Sequence, residues 1–324
     1  MTPDSMAEHI VILAGGVGGA KLVQGFADIC PPKRLSVVGN VADDWEFHGL
    51  WVSPDIDTLT YTLAGLIDEQ KGWGVREESF RALGLLNRLG KETWMQLGDQ
   101  DFGLHIYRTE RRRKGERPSV IAREIAERLG VRVPILLPTD DPVHTRVQTP
   151  AGWLAFQEYF VRERCAPPVH DVRFDGAERA TATPEVLGAL DRADLIVIAP
   201  SNPIVSIGPI LAVPGIRRAI ERSRALKLAI SPIVGGRAIK GPAAEMLRTL
   251  GHTADARGVA KLYAGLVDAF VIDEVDRSEA AALSALGLSI WVEQTVMRTR
   301  EEKCHLAERL LKRASLATKD QGVA

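Results

Sequence analysis

Short apolar runs alternate with amphipathic stretches along the chain, and this pattern predicts strands and helices in alternation. The runs in "HIVILAGG", "RLSVVGN", "VRVPILLP", "ADLIVIAPSNP" and "LKLAISPIVGG" are apolar throughout, as in strands covered on both faces. Together they predict an α/β fold with a doubly wound, mostly parallel, Rossmann-like sheet. Helical spacing is found in residues 18–28, 58–67, 213–225, 241–250, 258–268 and 299–315.

Residues 75–130 contain no convincing strand. "REESFRALGLLNRLG" and "SVIAREIAERLG" have helical patterns, and each ends at a glycine suited to a helix C-cap. We therefore expect a helical insertion at 69–130 that caps the active site of a nucleotide-binding core formed by 1–68 and 131–324. Two alternating runs within 144–160, separated by a Pro-Ala-Gly turn, predict a β-hairpin.

Composition narrows the function classes. The chain has 324 residues, of which 45% are hydrophobic, and a formal net charge of −1. That balance argues against a nucleic-acid or membrane-surface partner, which would require a basic excess. The three cysteines are widely spaced and predict reduced thiols, and no apolar run approaches the ~20 residues of a membrane span. We expect a soluble cytoplasmic protein.

A glycine-rich turn joins the first strand to its helix in "LAGGVGGAK". Gly15, Gly16, Gly18 and Gly19 allow close approach of a ligand, the helix N-terminus offers free N–H groups to phosphate, and Lys21 adds a charge. The loop matches neither the Walker A motif nor the dinucleotide fingerprint. We interpret it as a phosphate-binding loop; the alternative is a tight strand-helix turn without a ligand.

Four aspartates follow the second strand in the segment "NVADDWEFHGLWVSPDIDT". Mg²⁺ is usually held by one or two carboxylates together with substrate phosphates, so Asp43, Asp44, Asp55 and Asp57 predict a metal or substrate site facing the glycine loop. The alternative is helix capping, with Asp57 as N-cap and Asp55 near the helix start. A nicotinamide dehydrogenase is disfavoured because Asn40 ends the second strand, where a ribose-binding acid is expected.

Two further segments carry candidate chemistry. In "LGDQDFGLHIYR", helical spacing places Asp101, His105 and Arg108 on one face; the alternative is a solvated face with an ion pair. In "APSNPIVSIGPI", serine and asparagine side chains are available to a base or ribose, although turn formation alone explains them equally well. The basic run at 108–117 is interpreted as solvated surface or, alternatively, as a segment that closes over an anionic substrate.

The assembled motifs resemble the 2-phospho-L-lactate transferase family of coenzyme F-420 biosynthesis. The resemblance implies transfer from a donor, guanosine diphosphate (GDP) esterified at its far phosphate to a three-carbon acid, onto the ribityl hydroxyl of the deazaflavin Fo, with release of GMP. It also implies Mg²⁺ as cofactor and a homodimer. The stretches that carry it are "LAGGVGGAK", "NVADDWEFHGLWVSPDIDTLTYTLAG", "GWG", "LGDQDFGLHIYR", "LPTDDPVHT", "FQEYFVR", "APSNPIVSIGPILAVPGIR" and "SPIVGGRAIKG".

The resemblance also implies roles for individual residues. Asp57 and Asp55 are the expected catalytic residues, and Asp44, Asp57 and Asp43 the expected metal ligands. One departure is Gln100, where many relatives have arginine. The glycine loop is expected at the diphosphate, Ser201 to Pro203 at the guanosine, and Thr58 with the 99–108 helix at Fo. The expected substrate-binding residues are Gly15, Gly16, Gly18, Gly19, Lys21, Asn40, Thr58, Asp99, Asp101, His105, Arg108, Ser201, Asn202, Pro203 and Ser206.

One alternative comes from another class. Proteins of the gluconeogenesis-factor type share the fold and the glycine loop but bind nucleotide sugars as non-catalytic regulators. "SPDIDT" and "LGDQDFGLHIYR" are features of the transferases and are present here. The sequence leaves open whether the donor carries phospholactate, phosphoenolpyruvate or a phosphoglycerate.

Overall fold

A computed structural model describes residues 7–239 and 241–321 of the chain. Its strands are β1 (Ile10–Ala14), β2 (Leu35–Gly39), β3 (Trp45–Phe47), β4 (Leu50–Val52), β5 (Ile135–Leu136), β6 (His144–Thr149), β7 (Gly152–Ala155), β8 (Asp171–Asp175), β9 (Leu195–Ile198), β10 (Leu226–Ile230), β11 (Ile233–Val234), β12 (Arg237–Ala238), β13 (Ala269–Asp273) and β14 (Ser289–Glu293). Its α-helices are α1 (Gly16–Ile29), α2 (Pro54–Leu63), α3 (Arg81–Arg88), α4 (Asp99–Arg113), α5 (Pro118–Arg128), α6 (Pro184–Asp191), α7 (Gly208–Ala212), α8 (Ile216–Arg222), α9 (Ala243–Thr249), α10 (Ala256–Tyr263), α11 (Ala280–Ser284) and α12 (Arg300–Gln321).

Seven parallel strands form the central sheet in the order β14-β13-β10-β9-β1-β2-β5. This confirms the predicted α/β fold with a Rossmann-like, doubly wound sheet. From β1 the chain proceeds to β2 and β5 on one side, and then to β9, β10, β13 and β14 on the other. The order therefore reverses between β1 and β9, and sheets of this kind bind ligands in the crevice at that position.

Both faces of the sheet are buried, which explains why its strands are apolar throughout. Within β1, Ile10 and Ile12 point into one core cluster, whereas Val11 and Leu13 point into the other. Helices α1 and α12 supply apolar side chains to the first cluster, and α6, α8 and α10 supply them to the second. Each large aliphatic side chain buried in this way contributes about 1.5–3 kcal/mol.

Several strands were not predicted. β14 at the edge of the sheet and its neighbour β13 have five residues each, and β13 directly follows a helical pattern that masks its start. The predicted hairpin is confirmed as β6 and β7, but β8 adds a third antiparallel strand. The aspartate-rich segment also contains a short hairpin, β3 and β4, whose turn places Gly49 at a φ of 78°.

Prolines and glycines determine several helix boundaries, and one of these boundaries differs from the prediction. Helix α2 begins at Pro54 and ends at Leu63, so it starts four residues before the predicted 58–67. The glycines expected to end helices in the insertion, Gly90 and Gly130, have the positive φ values of 82° and 81° that this position favours.

Residues 69–130 contribute α3, α4 and α5 and no strand of the central sheet. The domain boundaries themselves stay a prediction.

One further property of the helices concerns membranes. Within residues 7–239 and 241–321, no single helix is long and apolar enough to cross a bilayer. A bent pair, Pro203–Ala212 and Ile216–Arg222, meets the length and composition criteria only when the two parts are joined across an angle of 87°.

Candidate active site

The glycine loop packs tightly against the loop that follows β9. A Cβ atom on Gly18 would lie 2.5 Å from the carbonyl oxygen of Pro200, and one on Gly19 would lie 2.6 Å from Oγ of Ser201. Gly16, the first residue of α1, has a φ of 62°, which L-residues adopt rarely. The glycines are therefore needed for contacts within the protein, in addition to any ligand they admit.

Asp55 caps the helix that the glycine loop opens. Its Oδ1 accepts a hydrogen bond of 2.8 Å from the N–H of Gly16, and its Oδ2 accepts one of 3.0 Å from Nδ2 of Asn40. Burial raises the pKa of Asp55, while the hydrogen bonds from Asn40 and Gly16 oppose that rise. Ser201 closes the other side of the loop, since its Oγ donates to the carbonyl of Gly15 over 2.7 Å. The loop is thus held at both of its edges.

The segment after β9 forms a compact π-helical turn, Pro203–Ile207. Oδ1 of Asn202 accepts a hydrogen bond of 2.9 Å from the N–H of Ile204 at the start of that turn. Ser206 packs against the glycine loop, because a Cβ on Gly15 would lie 2.8 Å from its Cβ. Turn formation thus accounts for Asn202 and Pro203, and their contact with a guanosine stays a prediction.

Three other predicted substrate residues make contacts inside the protein. Lys21 Nζ donates to the carbonyl of Met297 over 2.9 Å, ahead of α12. Thr58 Oγ1 donates to the carbonyl of Pro54 over 2.8 Å. Asp99 accepts hydrogen bonds from the backbone at the start of α3. Each of these contacts uses only part of the side chain's hydrogen-bonding capacity, so the predicted substrate roles stay open.

Asp57 and Arg108 form a buried ion pair between α2 and α4. Nη1 of Arg108 donates to Oδ2 of Asp57 over 3.1 Å, and Nη2 donates to Oδ1. The residues are 5% and 4% exposed. Burial lowers the pKa of Arg108, but the Asp57 carboxylate more than offsets this and leaves it raised. The alternative in which Asp57 is an N-cap is wrong, because Ser53 occupies that position.

The predicted face of α4 points into the protein. Asp101, His105 and Arg108 are all buried, so the alternative of a solvated helix face is wrong. The hydroxyl of Tyr61 donates to Oδ1 of Asp101 over 2.7 Å. Nδ1 of His105 lies 3.2 Å from Nη1 of Arg108, which can only donate; this nitrogen therefore accepts, and the ring is neutral. Burial lowers the pKa of His105 to about 4.

Asp43 and Asp44 are buried with one oxygen of each carboxyl left unpaired. Oδ2 of Asp44 accepts from Oγ of Ser53 over 2.6 Å and from Nε1 of Trp51 over 3.1 Å. Oδ1 of Asp43 and Oδ1 of Asp44 have no partner among the described residues. Burial raises the pKa of Asp44 to about 7, and burial followed by the charge of Asp55 raises the pKa of Asp43 well above its ordinary value.

This donor set fits Mg²⁺, a hard cation that prefers carboxylate oxygens. Across 7–239 and 241–321, no three His, Cys, Asp or Glu side chains are grouped so as to hold an ion by themselves. Mg²⁺ commonly takes one or two carboxylates and fills its remaining positions with phosphate and water. The unpaired oxygens of Asp43 and Asp44 are suited to that role, whereas Asp57 is already paired with Arg108.

Sequence reasoning missed the residues that hold the aspartates in place. Trp51 and Ser53 bind the side chain of Asp44, and Nδ1 of His144 donates to its backbone carbonyl over 3.1 Å. Tyr61, which holds the start of α4 through Asp101, lies one helical turn after Asp57. That spacing was the available signal for Tyr61, whereas His144 is 100 residues away from its partner.

The fold and this site define a Rossmann-like α/β protein with a glycine loop and clustered carboxylates after β1 and β2, beside the point where the strand order reverses. The family model described as 2-phospho-L-lactate transferase CofD matches residues 10–308. The chain therefore belongs to the 2-phospho-L-lactate transferase family, as the sequence motifs predicted, and it is a transferase of coenzyme F-420 biosynthesis.

Relatives with two different names are similar over nearly the whole chain. A 2-phospho-L-lactate transferase from Methanosarcina acetivorans is 37% identical over 299 residues, which cover 92% of this chain and 97% of that protein. A phosphoenolpyruvate transferase from Streptomyces coelicolor is 40% identical over 286 residues, 86% of this chain and 90% of that protein. A crystal structure of a UPF0052 family member from Bacillus halodurans superposes with a TM-score of 0.63 at 18% identity, covering 94% of this chain and 99% of that one. This last likeness supports the fold alone.

Proposed function

We propose that this protein transfers a phospho-three-carbon-acid group from its GDP-linked donor to the ribityl hydroxyl of Fo. The hydroxyl oxygen forms a bond to the far phosphorus of the donor, and the bond from that phosphorus to the oxygen bridging to GMP breaks. GMP leaves with the bonding electrons, and the product is a phosphodiester. The hydroxyl proton must pass to a base as the new bond forms.

The loop side of the crevice is the proposed donor site. We propose that N–H groups at the start of α1 beyond Gly16 bind the donor's phosphates, and that the guanosine lies at the segment after β9, which packs against the glycine loop. Asp55 binds Gly16 and Asn40 with its two oxygens. We therefore assign Asp55 the role of holding the loop in its phosphate-binding shape.

The acid side is the proposed site of charge neutralisation and of the acceptor. Asp43 and Asp44 would hold Mg²⁺, with Asp57 as a third candidate ligand. When bound, the cation would offset negative charge on the donor phosphates and the departing GMP. Phosphoryl transfer asks the protein mainly for positioning, and the pairing with Arg108 fixes Asp57 in one orientation.

Asp57 is also our candidate to orient the acceptor hydroxyl and to receive its proton. It lies in the first turns of α2, and Thr58 is its neighbour in sequence. His105 adds a neutral ring whose Nε2 has no partner among the described residues, and this nitrogen can donate a hydrogen bond to a polar acceptor. The acceptor is thus proposed to lie between α2 and α4.

One observation carries this proposal: buried carboxylates with unpaired oxygens adjoin a glycine loop at the switch point of the sheet. Oδ1 of Asp43 and Oδ1 of Asp44 are unpaired, and Asp55, whose charge helps to raise the pKa of Asp43, accepts a hydrogen bond from Gly16. Unpaired buried carboxylate oxygens cost free energy, so a site that retains them is suited to a cation brought in with phosphate.

The test is a transfer assay with the full chain, Fo, MgCl₂ and three donors offered separately: GDP carrying lactate, enolpyruvate or glycerate on its far phosphate. Mass spectrometry should detect one Fo phosphodiester together with an equal amount of GMP. Absence of product with all three donors would contradict the proposed reaction. The donor that reacts fastest identifies the three-carbon acid that the natural donor carries.

We also propose a homodimer, which analytical ultracentrifugation of the same preparation would test.

A further inference from the structure

The basic run at 108–117 is largely neutralised by acidic side chains, and Arg112 and Arg113 are the exceptions. Arg111 pairs with Glu116 and Glu124, Lys114 with Glu110, and Arg117 with Asp140 and Glu185. Arg113, the last residue of α4, donates to a backbone carbonyl of the β3–β4 hairpin over 3.0 Å. The guanidinium of Arg112 has no hydrogen-bond or ion-pair partner anywhere in the described part of the chain.

Arg112 is nevertheless fixed in position. Its guanidinium carbon lies 3.9 Å from the ring centroid of Trp51, and the residue is half-buried. Trp51 is held in turn, because its Nε1 donates to Asp44 and its backbone N–H donates to Oγ1 of Thr109 over 2.7 Å. Stacking uses the flat face of a guanidinium and leaves its N–H edge free for a planar, bidentate anion.

A small cavity, partly open to solvent, lies beside Arg112. Asp44, Trp51, Arg112 and Thr139 contribute to its wall, and Arg112 is the only basic side chain among the described residues that line it. Two further acids in the wall have partners of their own: Asp140 is bound by Arg117 and by the N–H of Ser119 over 2.7 Å, and Asp141 accepts a hydrogen bond of 2.8 Å from the N–H of Thr181. The free cation therefore faces a space beside the proposed metal ligands.

The order of the strands places this cavity in line with the donor. The segments that follow β9, β1, β2 and β5 carry, in that order, the proposed guanosine contacts, the glycine loop, Asp43 with Asp44, and the cavity wall at Thr139. A donor with guanosine at β9 and diphosphate at β1 extends its acid toward β2 and β5. All three candidate acids carry a carboxylate at that end.

We propose that Arg112, with the cavity beside it, binds the carboxylate of the donor's three-carbon acid. This inference rests on the proposed function. A guanidinium held by stacking presents two parallel N–H donors, which match the two oxygens of a carboxylate. The partly buried setting strengthens this ion pair relative to the same pair in water. The same subsite serves each candidate acid, because their shared carboxylate is the group that is recognised.

The test is calorimetric binding of three ligands to the full chain in MgCl₂: GDP, GDP carrying lactate on its far phosphate, and the methyl ester of that compound. The ester removes the negative charge and adds one methyl group, whose steric effect remains in the Arg112→Gln variant. We expect the wild type to bind the acid about 30-fold more tightly than the ester. Arg112→Gln should reduce this ratio to below about threefold while leaving GDP affinity unchanged, and Arg112→Lys should give an intermediate ratio.

Arg113→Gln is the matched control, because Arg113 adjoins Arg112 on the same helix but lies outside the cavity wall. It should retain the wild-type ratio. The inference is overturned if the wild type shows no preference for the acid, if Arg112→Gln retains the preference, or if Arg112→Gln weakens all three ligands equally. The transfer assay with Fo reports on the proposed function separately, because a protein that makes product without an acid-to-ester preference refutes only the subsite.

Discussion

The two sides of the crevice differ in how far their polar groups are satisfied by the protein. On the loop side, Gly15, Gly16, Asn40 and Asp55 bind one another or Ser201. On the acid side, Asp43 and Asp44 each keep an unpaired oxygen, and Nε2 of His105 has no partner in the described chain. These four loop-side residues already have partners within the protein, whereas the acid side retains unpaired atoms that a ligand would satisfy.

This difference indicates which residues mainly stabilise the fold and which are available to bind a ligand. Close-packed glycines and satisfied hydrogen bonds stabilise the loop, so substitutions there should damage the fold first. Buried groups without partners destabilise the folded state, so their replacement should damage activity more than stability. We can therefore distinguish the two sides by measuring both the free energy of unfolding and the turnover of variants on each side.

The largest effect is expected for Asp57→Asn. This change leaves the buried guanidinium of Arg108 without its counter-ion and should lower the free energy of unfolding by about 3–5 kcal/mol, measured by urea denaturation. Turnover should also be lost. The double variant Asp57→Asn/Arg108→Gln should recover part of the stability, because the guanidinium that lost its counter-ion is then absent. If the double variant is no more stable than the single one, the ion pair is not the cause.

Gly18→Ala should be the next most damaging change. Its new methyl group would lie 2.5 Å from the backbone oxygen of Pro200, which cannot move without shifting the loop after β9. We expect a loss of about 1–3 kcal/mol in the free energy of unfolding. Gly103→Ala in α4 is the control, because nothing lies within 4 Å of its Cβ position, and it should be neutral or mildly stabilising. Equal effects at the two positions would contradict the packing argument.

Asp44→Asn should have the smallest effect on stability and a large effect on activity. In EDTA, the free energy of unfolding should change by less than about 1 kcal/mol, because the substitution removes a buried carboxylate with an unpaired oxygen. Turnover in MgCl₂ should fall at least about 100-fold.

Asp273→Asn provides the matched control for that prediction. Asp273 is equally buried, but its carboxylate accepts hydrogen bonds from Val275 and from the backbone and hydroxyl of Thr295. It should lose about 1–3 kcal/mol of stability and keep the turnover of its folded fraction. The comparison fails if Asp44→Asn is the less stable of the two variants.

The sequence predicted the parts of the fold that local pattern determines. Strands buried on both faces are apolar throughout, so β1, β2, β5, β9 and β10 were all found. β13 was missed because it directly follows the helical pattern of 258–268, and β14 because, at the edge of the sheet, it is only partly buried and its run "SIWVE" includes polar residues. The position of α2 was wrong by four residues, since the proline that begins it was not used as a start signal.

For the site, residue types were predictable and their partners were not. Clustered aspartates and aligned polar residues on α4 are visible in the sequence, and the structure buries both sets. The pairing of Asp57 with Arg108 joins residues that are 51 positions apart, and no local spacing encodes it. The stacking of Arg112 on Trp51 likewise depends on how α4 crosses β4.

The central claim is that GDP lies between the glycine loop and a cation held by Asp43 and Asp44. Calorimetric titration of GDP into the wild type and into Asp44→Asn, each in MgCl₂ and in EDTA, tests it most directly. We predict that Mg²⁺ tightens GDP binding at least about tenfold in the wild type, and that this gain disappears in Asp44→Asn. Equal affinity for GDP with and without Mg²⁺ in the wild type would contradict the account.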